Sequence, residues 1–338
     1  MINAPPPGYF TLRPLRGVED LAPMLAVADA ARSLDSISSG TTLADMKKQY
    51  VKSSGFDPER DVVIAESDGQ IVGYARGWWL QEVGGAYLYR QLGFVVPAWR
   101  RNGIGRALLE WLERRQSAVA AQHNSSAQKL FNLYVTQPEI GRAAMLEKAG
   151  YTPARYFFSM LRSDLEKIRS FPLPAGIKMR PVVPEHYRAI WEIDEEVFAS
   201  HWGRARAVEG DYEAWLTCSS FQPELWQVAW DIATNRIAGQ ARPYIDQSGN
   251  CEAGRLRGYT EFIVVREQWR KRGLAKALVS SSLQAQKAAG MCESALEVDS
   301  DNPSGATNLY QICGFVIKER NVVYRKPVPI VAPGETTR

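Results

Sequence analysis

The sequence has few residues of the kinds that build metal centres and disulfide frameworks. Its 338 residues include only three histidines and four cysteines, and all the cysteines lie in the second half (Cys218, Cys251, Cys292 and Cys313). No C-x-x-C pair and no histidine pair at metal-ligand spacing is present, so no metal site is predicted. Such cysteines are typical of a reduced cytoplasmic protein, in which thiols mostly pack.

Long apolar runs and a strong charge of either sign are also missing. No apolar stretch approaches the roughly 20 residues that a membrane-spanning helix needs. The N-terminal MINAPPPGYF has neither the charged nor the apolar region of a signal peptide. The net charge is only +4, which disfavours nucleic acid as the main partner. We therefore expect a cytoplasmic monomer or homodimer that binds neither membrane nor nucleic acid and acts on a small molecule.

The chain does contain an internal repeat, with an offset of about 165 residues. The matching pairs keep their order: Arg13-Pro14 with Arg180-Pro181, Ile71-Val72-Gly73 with Ile237-Ala238-Gly239, Trp99-Arg100 with Trp269-Arg270, and Gly150-Tyr151 with Gly314-Phe315. The length also suits two domains. We predict an N-terminal domain over 1–165, a linker over 166–176, a C-terminal domain over 177–328 and a flexible tail over 329–338.

Both copies predict the same order of secondary structure. A strand and two helices are followed by a strand pair, which turns at Asp68-Gly69 in the first copy and at Thr234-Asn235 in the second. A long strand, a basic turn and a helix come next, and strand, helix and strand close the copy. This order predicts an α/β (α+β) fold in two tandem domains, each with a mixed, largely antiparallel sheet flanked by helices. A connecting helix is also predicted over 164–169.

The basic turn of the second copy has the features of a phosphate site. A buried strand over 262–265 precedes it, and a helix follows. Backbone N–H groups and the positive end of the helix dipole would therefore meet at the turn. Gly273 allows close approach of a ligand, while Arg270, Lys271 and Arg272 add positive charge. The first copy repeats this plan from Val95 through Arg100, Arg101, Gly103, Ile104, Gly105 and Arg106.

These turns resemble the signature of the GNAT superfamily of acetyl-CoA-dependent N-acetyltransferases, Gln/Arg-x-x-Gly-x-Gly/Ala. The matching segments are 100–105 (RRNGIG) and 270–275 (RKRGLA). The second copy also carries the downstream pattern Asn-x-x-x-Ala-x-x-Leu-Tyr-x-x-x-Gly-Phe over 302–315. The resemblance covers nearly the whole chain, and the two-domain plan looks like that of the mycothiol-synthase type of tandem acetyltransferase.

The resemblance implies a role for particular residues of the second copy toward acetyl-CoA. The backbone of Ile263, Val264 and Val265 would pair with the pantetheine arm like an added strand. Asn302 would touch that arm, and Tyr310 would lie beside the thioester sulfur. Backbone N–H groups of the turn and helix start would hold the pyrophosphate: Lys271, Arg272, Gly273, Leu274, Ala275 and Lys276.

Two residues are candidates for proton transfer in such a reaction. Tyr310 is the predicted general acid, because a phenol with an unperturbed pKa of about 10 can donate to a departing thiolate. Glu261 is the predicted base or amine anchor, because a carboxylate in an apolar strand is either paired or functional. In the first copy, Leu146 stands opposite Tyr310 and Pro138 opposite Asn302. Leucine donates no proton, so catalysis is predicted in the C-terminal domain and the N-terminal domain is predicted to be degenerate.

Four further residues are candidates for the substrate site. Glu297 and Asp299 share a face of the predicted next strand and could bind a cationic amine. His201 and Trp202 combine a titratable and an aromatic side chain after a predicted helix. A solvated face for the two carboxylates and a structural role for the histidine remain alternative interpretations.

The sequence thus predicts direct transfer of acetyl from acetyl-CoA to a primary amine of a small molecule, without a metal. Mycothiol synthase proper, which would acetylate a cysteinyl amine on a sugar-inositol, is an alternative. An antibiotic-modifying or protein N-acetyltransferase is another. A non-catalytic acyl-CoA-binding sensor would keep both basic turns, but it would not need Tyr310.

Overall fold

The computed structural model describes residues 9–35, 37, 41–199, 201–208, 210–302 and 305–329. The chain packs as two compact units. Unit 1 contains residues up to 154 together with those from 322 onward, and unit 2 contains residues 155–321. The predicted domain boundaries, 1–165 and 177–328, follow the sequence repeat and stay a prediction, whereas the two units follow the packing. The packing units differ from them because each copy's closing strand is hydrogen-bonded largely among residues of the other copy.

Unit 1 is built on a mixed sheet with helices packed on it. Its strands are β1 (Thr11–Pro14), β2 (Val62–Ser67), β3 (Gln70–Gln81), β4 (Tyr87–Val95), β5 (Lys129–Val135) and the beginning of β6 (Thr152–Arg162). Its helices are α1 (Leu21–Leu34), α2 (Leu43–Gln49), α3 (Pro58–Asp61), α4 (Ile104–Gln122) and α5 (Ile140–Lys148).

The sheet of unit 1 opens between two parallel strands. Strands β1 to β4 pair antiparallel in sequence order. Strand β4 then pairs parallel with β5, but only between Tyr87–Arg90 and Lys129–Asn132. Beyond Arg90 the two strands separate, while β4 stays bonded to β3 as far as Val95. A cleft is therefore left beside the C-terminal half of β4.

Helical periodicity explains how α1 and α4 cover this sheet. Leu21, Met24, Ala28 and Ala31 recur at helical spacing in α1, and all four are buried. They pack with apolar residues of β2 and β3 in one core cluster. Helix α4 adds Leu108 and Leu112 to the same cluster.

Unit 2 repeats the order of elements but divides its strands between two sheets. Its strands are β7 (Ile177–Arg180), β8 (Gln227–Asp231), β9 (Arg236–Ala241), β10 (Tyr244–Ile245), β11 (Arg257–Tyr259), β12 (Val264–Val265), β13 (Glu293–Asp299) and the first part of β14 (Val316–Pro327). Its helices are α6 (Tyr187–Phe198), α7 (Asp211–Leu216), α8 (Gln247–Ala253), α9 (Leu274–Ala288) and α10 (Ala306–Ile312). Strands β7, β8, β9 and β12 pair antiparallel in that order. In the other sheet, β11 pairs parallel with β13, and β10 and residues 157–162 of β6 pair antiparallel with β11 and β13.

The prediction of one long strand with a buried run over 262–265 is wrong. Strand β11 ends at Tyr259 and β12 begins at Val264, because Thr260 N–H donates to Ala295 O in β13 whereas Val264 pairs with Gln240 in β9. The chain crosses from one sheet to the other between them. Phe262 adopts a left-handed φ of 49° and is 38% exposed.

Two predictions about helices also need correction. No helix forms over 164–169, because the Asp164 carboxylate accepts from Glu166 N–H and Arg162 donates to Lys167 O, which takes backbone groups that a helix would use. Helix α8 was not predicted, although the Asp246 side chain caps it by accepting from Gly249 N–H. Among the helices of the described ranges, none is long and apolar enough to cross a membrane.

The final strand gives a test of the division into units. Residues Val322–Pro327 of β14 pair with β5 in unit 1, and the buried Tyr324 belongs to the core beside β5. We expect Tyr324→Ala to destabilise unit 1 by about 3–5 kcal/mol. Hydrogen exchange should show loss of protection at Lys129–Val135, with β8 and β9 unaffected. Lys318→Ala, at an exposed position earlier in the same strand, is the control; equal loss of protection in both units would contradict the division.

Candidate active site

The two basic turns have the same backbone geometry. Arg101 and Gly103 have φ values of 70° and 82°, and Lys271 and Gly273 have values of 58° and 90°. Left-handed residues at alternate positions turn successive N–H groups toward a common point, as in an anion-binding nest. Gly103 and Gly273 are the N-caps of α4 and α9, and neither helix start has a side-chain cap. The first N–H groups of both helices are thus available to a phosphate.

The same contacts hold both turns in place. Trp99 and Trp269 are buried before the turns, and Ile104 and Leu274, each 1% exposed, anchor the helix starts. The N–H groups of Val96 and Arg266 donate to equivalent carbonyls of the neighbouring strand, both at 2.9 Å. The repeat therefore extends to individual hydrogen bonds.

The cationic side chains at the two turns have different surroundings. Arg100 donates to both carboxylate oxygens of Asp35, at 2.8 and 2.7 Å, and this pairing raises the pKa of Arg100. Its counterpart Arg270 donates instead from Nε to Val265 O at 3.1 Å. Arg101 and Lys271 are exposed. The charge of Arg100 is thus largely balanced within unit 1.

The remaining coenzyme candidates of unit 2 lie close to this turn or after β13. The guanidinium of Arg272 lies 5.0 Å from the Trp269 ring centre, and Lys276 Nζ lies 5.6 Å from that of Phe171. Ile263 packs against two of the buried apolar clusters of unit 2. Asn302 N–H donates to Asp299 O at 3.2 Å, directly after β13.

Glu261 lies in the break between β11 and β12, and the residue before it, Thr260, is fixed by hydrogen bonds. The hydroxyl of Thr260 is fully buried and bonded to Ser294 Oγ and Gln286 Nε2, at 2.9 and 2.6 Å. Burial, together with the smaller effect of the neighbouring charge of Glu297, raises the pKa of the Glu261 carboxyl to about 7. A carboxyl group with this pKa can exchange a proton near neutrality, which suits a general base.

Tyr310 projects from α10 into the core of unit 2. Its side chain is 7% exposed and packs edge-on against Phe315, with ring centres 6.1 Å apart. Burial raises the pKa of Tyr310, and the charge of Glu261 raises it further. The hydroxyl therefore stays protonated at neutral pH, and it is electrostatically coupled to Glu261.

Unit 1 lacks both groups at the equivalent positions. Val95 pairs with Gly73 as Val265 pairs with Gly239, so Gln91 occupies the position of Glu261. Gln91 is buried and accepts no proton; it donates to Gln116 Oε1 at 2.8 Å. The alignment of Gly150 with Gly314 places the fully buried Leu146 opposite Tyr310.

A cavity of about 670 Å³ nevertheless lies in unit 1 between the basic turn, the open half of β4 and α5. Arg142 lines it from α5, at the position that Ala306 occupies in unit 2. The Arg142 guanidinium donates to Gly93 O, pairs with Glu139 at 2.7 Å, and lies 5.5 Å from the Phe94 ring centre. Gly93 is the counterpart of Ile263, whose backbone the resemblance assigns to the pantetheine arm. The hydrogen bond from Arg142 therefore uses a carbonyl group that would otherwise be open to that arm.

Three of the four predicted substrate residues are brought together in unit 2. Asp299 accepts two hydrogen bonds from Arg155, both 2.8 Å, and the Arg155 guanidinium lies 5.8 Å from the Trp202 ring centre. Burial lowers the pKa of His201, an effect that the charge of Asp299 partly offsets. The Nδ1 atom of His201 is buried, and no residue of the described ranges forms a hydrogen bond with it. Glu297 is exposed two residues before Asp299 on β13.

Sequence reasoning missed a buried ion pair close to Glu261. Asp194 of α6 and Arg242, which follows β9, are 3% and 5% exposed and contact each other directly. Burial raises the pKa of Asp194 to about 6 although Arg242 opposes the shift. A buried ion pair is by itself weak evidence for stability, because the cost of removing two charges from water offsets their attraction. Arg76 of the first copy, which aligns with Arg242, was the available sequence signal.

No group of three or more His, Cys, Asp or Glu side chains within the described ranges is arranged to hold a metal ion.

Comparison with known families gives matches in both copies. Residues 58–153 match the model described as an acetyltransferase (GNAT) domain, and residues 187–315 match that of the acetyltransferase (GNAT) family. Together the matches cover more than half of the chain and include both basic turns.

Individual relatives match along most of the chain. A protein of Geodermatophilus obscurus named mycothiol acetyltransferase is 26% identical over 315 residues, covering 90% of this chain and 94% of its own. One of the same name from Clavibacter michiganensis is 27% identical over 281 residues, covering 80% and 85%. The crystal structure of a GCN5-related N-acetyltransferase from Sphaerobacter thermophilus superposes with a TM-score of 0.72 at 24% identity, covering 95% and 97%. This likeness supports the fold.

The raised pKa of Glu261 predicts a pH-dependent cost to stability. Between the unfolded pKa of about 4.3 and the folded pKa of about 7, the unfolded state releases a proton that the folded state retains. The free energy of unfolding therefore falls as pH rises through this window. We expect Glu261→Gln to be more stable than the wild type by about 1–3 kcal/mol at pH 8, with the difference disappearing by pH 4. Denaturant unfolding at several pH values measures it, and a pH-independent difference would contradict it.

Proposed function

Because the chain belongs to the GNAT superfamily of acetyltransferases, with a matching domain in each half, we propose that unit 2 carries acetyl transfer from acetyl-CoA to a primary amine of a small molecule. The observation that supports this assignment is the difference between the two copies. Both have the turn that suits a pyrophosphate, but only unit 2 combines it with Glu261 and Tyr310. Unit 1 has Gln91 and Leu146 instead, which neither accept nor donate the required protons.

Glu261 and Tyr310 have separate parts in the proposed mechanism. Glu261, with a pKa of about 7, takes the proton from the attacking amine, which would otherwise stay protonated and unreactive. The nitrogen then forms a bond to the thioester carbonyl carbon, and the carbon–sulfur bond breaks. Tyr310 donates its hydroxyl proton to the departing sulfur. The acylated nitrogen releases its second proton to the Tyr310 phenolate, and Glu261 releases the first proton to solvent, which restores both residues.

The acceptor that fits best is a cysteinyl amine on a sugar-inositol, as in mycothiol biosynthesis. The relatives that match along most of the chain are named mycothiol acetyltransferases, and their similarity includes both copies. In unit 2, Trp202 offers an aromatic face and Arg155 with Asp299 offers polar groups suited to a hydroxyl-rich acceptor. Glu297 is exposed nearby on the same face of β13 and suits a cationic amine.

Replacing Tyr310 tests the acid. Tyr310→Phe keeps the ring in its apolar surroundings but removes the donor, so we expect kcat to fall about 10²- to 10⁴-fold with little change in KM for acetyl-CoA. Coenzyme A release with the cysteinyl glucosaminyl-inositol measures it. The matched control is Tyr151→Phe in unit 1, where the hydroxyl donates to Gln91 at 3.3 Å. An unchanged kcat in Tyr310→Phe, or no amine-dependent release by the wild type, would contradict the proposal.

Arg142 gives a separate prediction about coenzyme binding in unit 1. Because its guanidinium holds Gly93 O, a pantetheine arm must displace it. We expect Arg142→Ala to raise the affinity of unit 1 for coenzyme A at least about tenfold, or about 1.4 kcal/mol. Calorimetric titration in a Gly273→Val background removes the contribution of unit 2. Arg114→Ala, at an exposed position on α4, is the control. Weaker binding by Arg142→Ala would show that the side chain is a ligand instead.

A further inference from the structure

The backbone that carries Glu261 is held on both sides by different contacts. On the N-terminal side, Thr260 is bonded to β13 through its N–H and to Ser294 and Gln286 through its hydroxyl. On the C-terminal side, Phe262 has a left-handed φ of 49°, which is unfavourable for a bulky side chain. Such a conformation persists only when surrounding contacts enforce it.

Arg242 supplies contacts to both residues of this kink. Its backbone N–H donates to Glu261 O at 2.9 Å. Its guanidinium carbon lies 4.3 Å from the Phe262 ring centre, and the Trp215 and Trp226 ring centres lie 5.1 and 5.3 Å away. Arg242 thus holds the carbonyl of Glu261 through its backbone N–H and stacks its side chain against the residue that follows.

Asp194 fixes the orientation of that guanidinium from α6. The carboxylate contacts Arg242 and also accepts from Gln240 Nε2 at 2.7 Å, and the same amide nitrogen donates to Ile190 O at 2.9 Å. Gln240 is fully buried, and the ion pair is nearly so. Helix α6, the end of β9 and the kink are therefore joined through one polar network.

The first copy contains only part of this arrangement. Arg76 aligns with Arg242 and also lies among aromatic rings, those of Tyr50, Phe56 and Trp78, at 4.8 to 5.0 Å. Its guanidinium donates to Gln49 Oε1 at 3.5 Å, on the surface. The adjacent strand β4 runs unbroken from Tyr87 to Val95, with Gln91 in place of the carboxylate. The arginine and its rings are common to both copies, whereas the kink and the half-buried carboxylate of Glu261 belong to unit 2.

We infer that Asp194 and Arg242 are positioning residues, which hold the kink at Glu261 and Phe262 and thereby aim the Glu261 carboxylate at the acceptor amine. This inference rests on the proposed role of Glu261 as the base. The pair acts through the backbone and through the Phe262 ring, and it need not contact either substrate.

A double-mutant cycle distinguishes positioning from a general structural role. Arg242→Lys keeps the charge beside Asp194 but loses the planar face that stacks on Phe262. We expect kcat for the cysteinyl glucosaminyl-inositol to fall about 10- to 100-fold with KM for acetyl-CoA unchanged. In a Glu261→Gln background the same change should lower kcat less than about twofold, because the group it positions is already absent. Asp194→Asn should behave in the same way, and Arg76→Lys should leave both parameters at wild-type values.

A milder variant keeps the test valid if the buried substitutions impair folding. Phe262→Leu, at a partly exposed position, removes the stacked ring, and we expect kcat to fall several-fold only when Glu261 is present. An equal fall with and without Glu261, or an unchanged kcat in Arg242→Lys, would overturn the inference while leaving the base intact. If Glu261→Gln alone retained wild-type kcat, the proposed base and this inference would both be wrong.

Discussion

The separation of two parallel strands is the constraint on which the candidate sites depend. In unit 1, β4 and β5 pair only over Tyr87–Arg90 and Lys129–Asn132, and in unit 2, β11 and β13 pair only over Arg257–Tyr259 and Glu293–Ala295. Where the pairing stops, backbone groups of the central strand are left for another partner. A helix begins at the same level, after two left-handed residues, with its N–H groups uncapped by side chains. An extended ligand with a phosphate at one end, as we propose for unit 2, would satisfy both sets of groups.

The two copies use this opening differently. In unit 1, strand β4 stays paired with β3 without a break. The buried side chain of Gln91 on β4 donates a hydrogen bond to Gln116. In unit 2 the strand breaks, so Glu261 is held in a kink instead of a ladder. Burial there raises the pKa of the carboxyl, which suits the base that we propose and costs stability at neutral pH. A neutral amide avoids that cost, so under the proposed function unit 1 would keep the scaffold without the chemistry.

Buried charges of unit 2 are consistent with this interpretation. Asp194 and Arg242 are removed from water, and burial raises the pKa of Asp194 against the opposing charge of Arg242. A pair of this kind is poorly explained by stability, but it can enforce a backbone conformation that the sequence would not adopt locally. The positive φ of Phe262, a bulky residue, is such a conformation.

The sequence by itself determined the repeat, the order of most elements and the positions of both basic turns, because these depend on local patterns. Residues 100–105 and 270–275 lie at helix starts as predicted, and the Asp68-Gly69 turn joins β2 to β3. Leu146 opposite Tyr310 was also readable, since alignment of the copies needs no coordinates. Only the tertiary structure decided the break at 260–263, because it depends on which neighbouring sheet each residue bonds. It likewise decided that Arg142 reaches Gly93 and that Asp194 meets Arg242, since contacts between residues distant in the chain leave no periodic signal in the sequence.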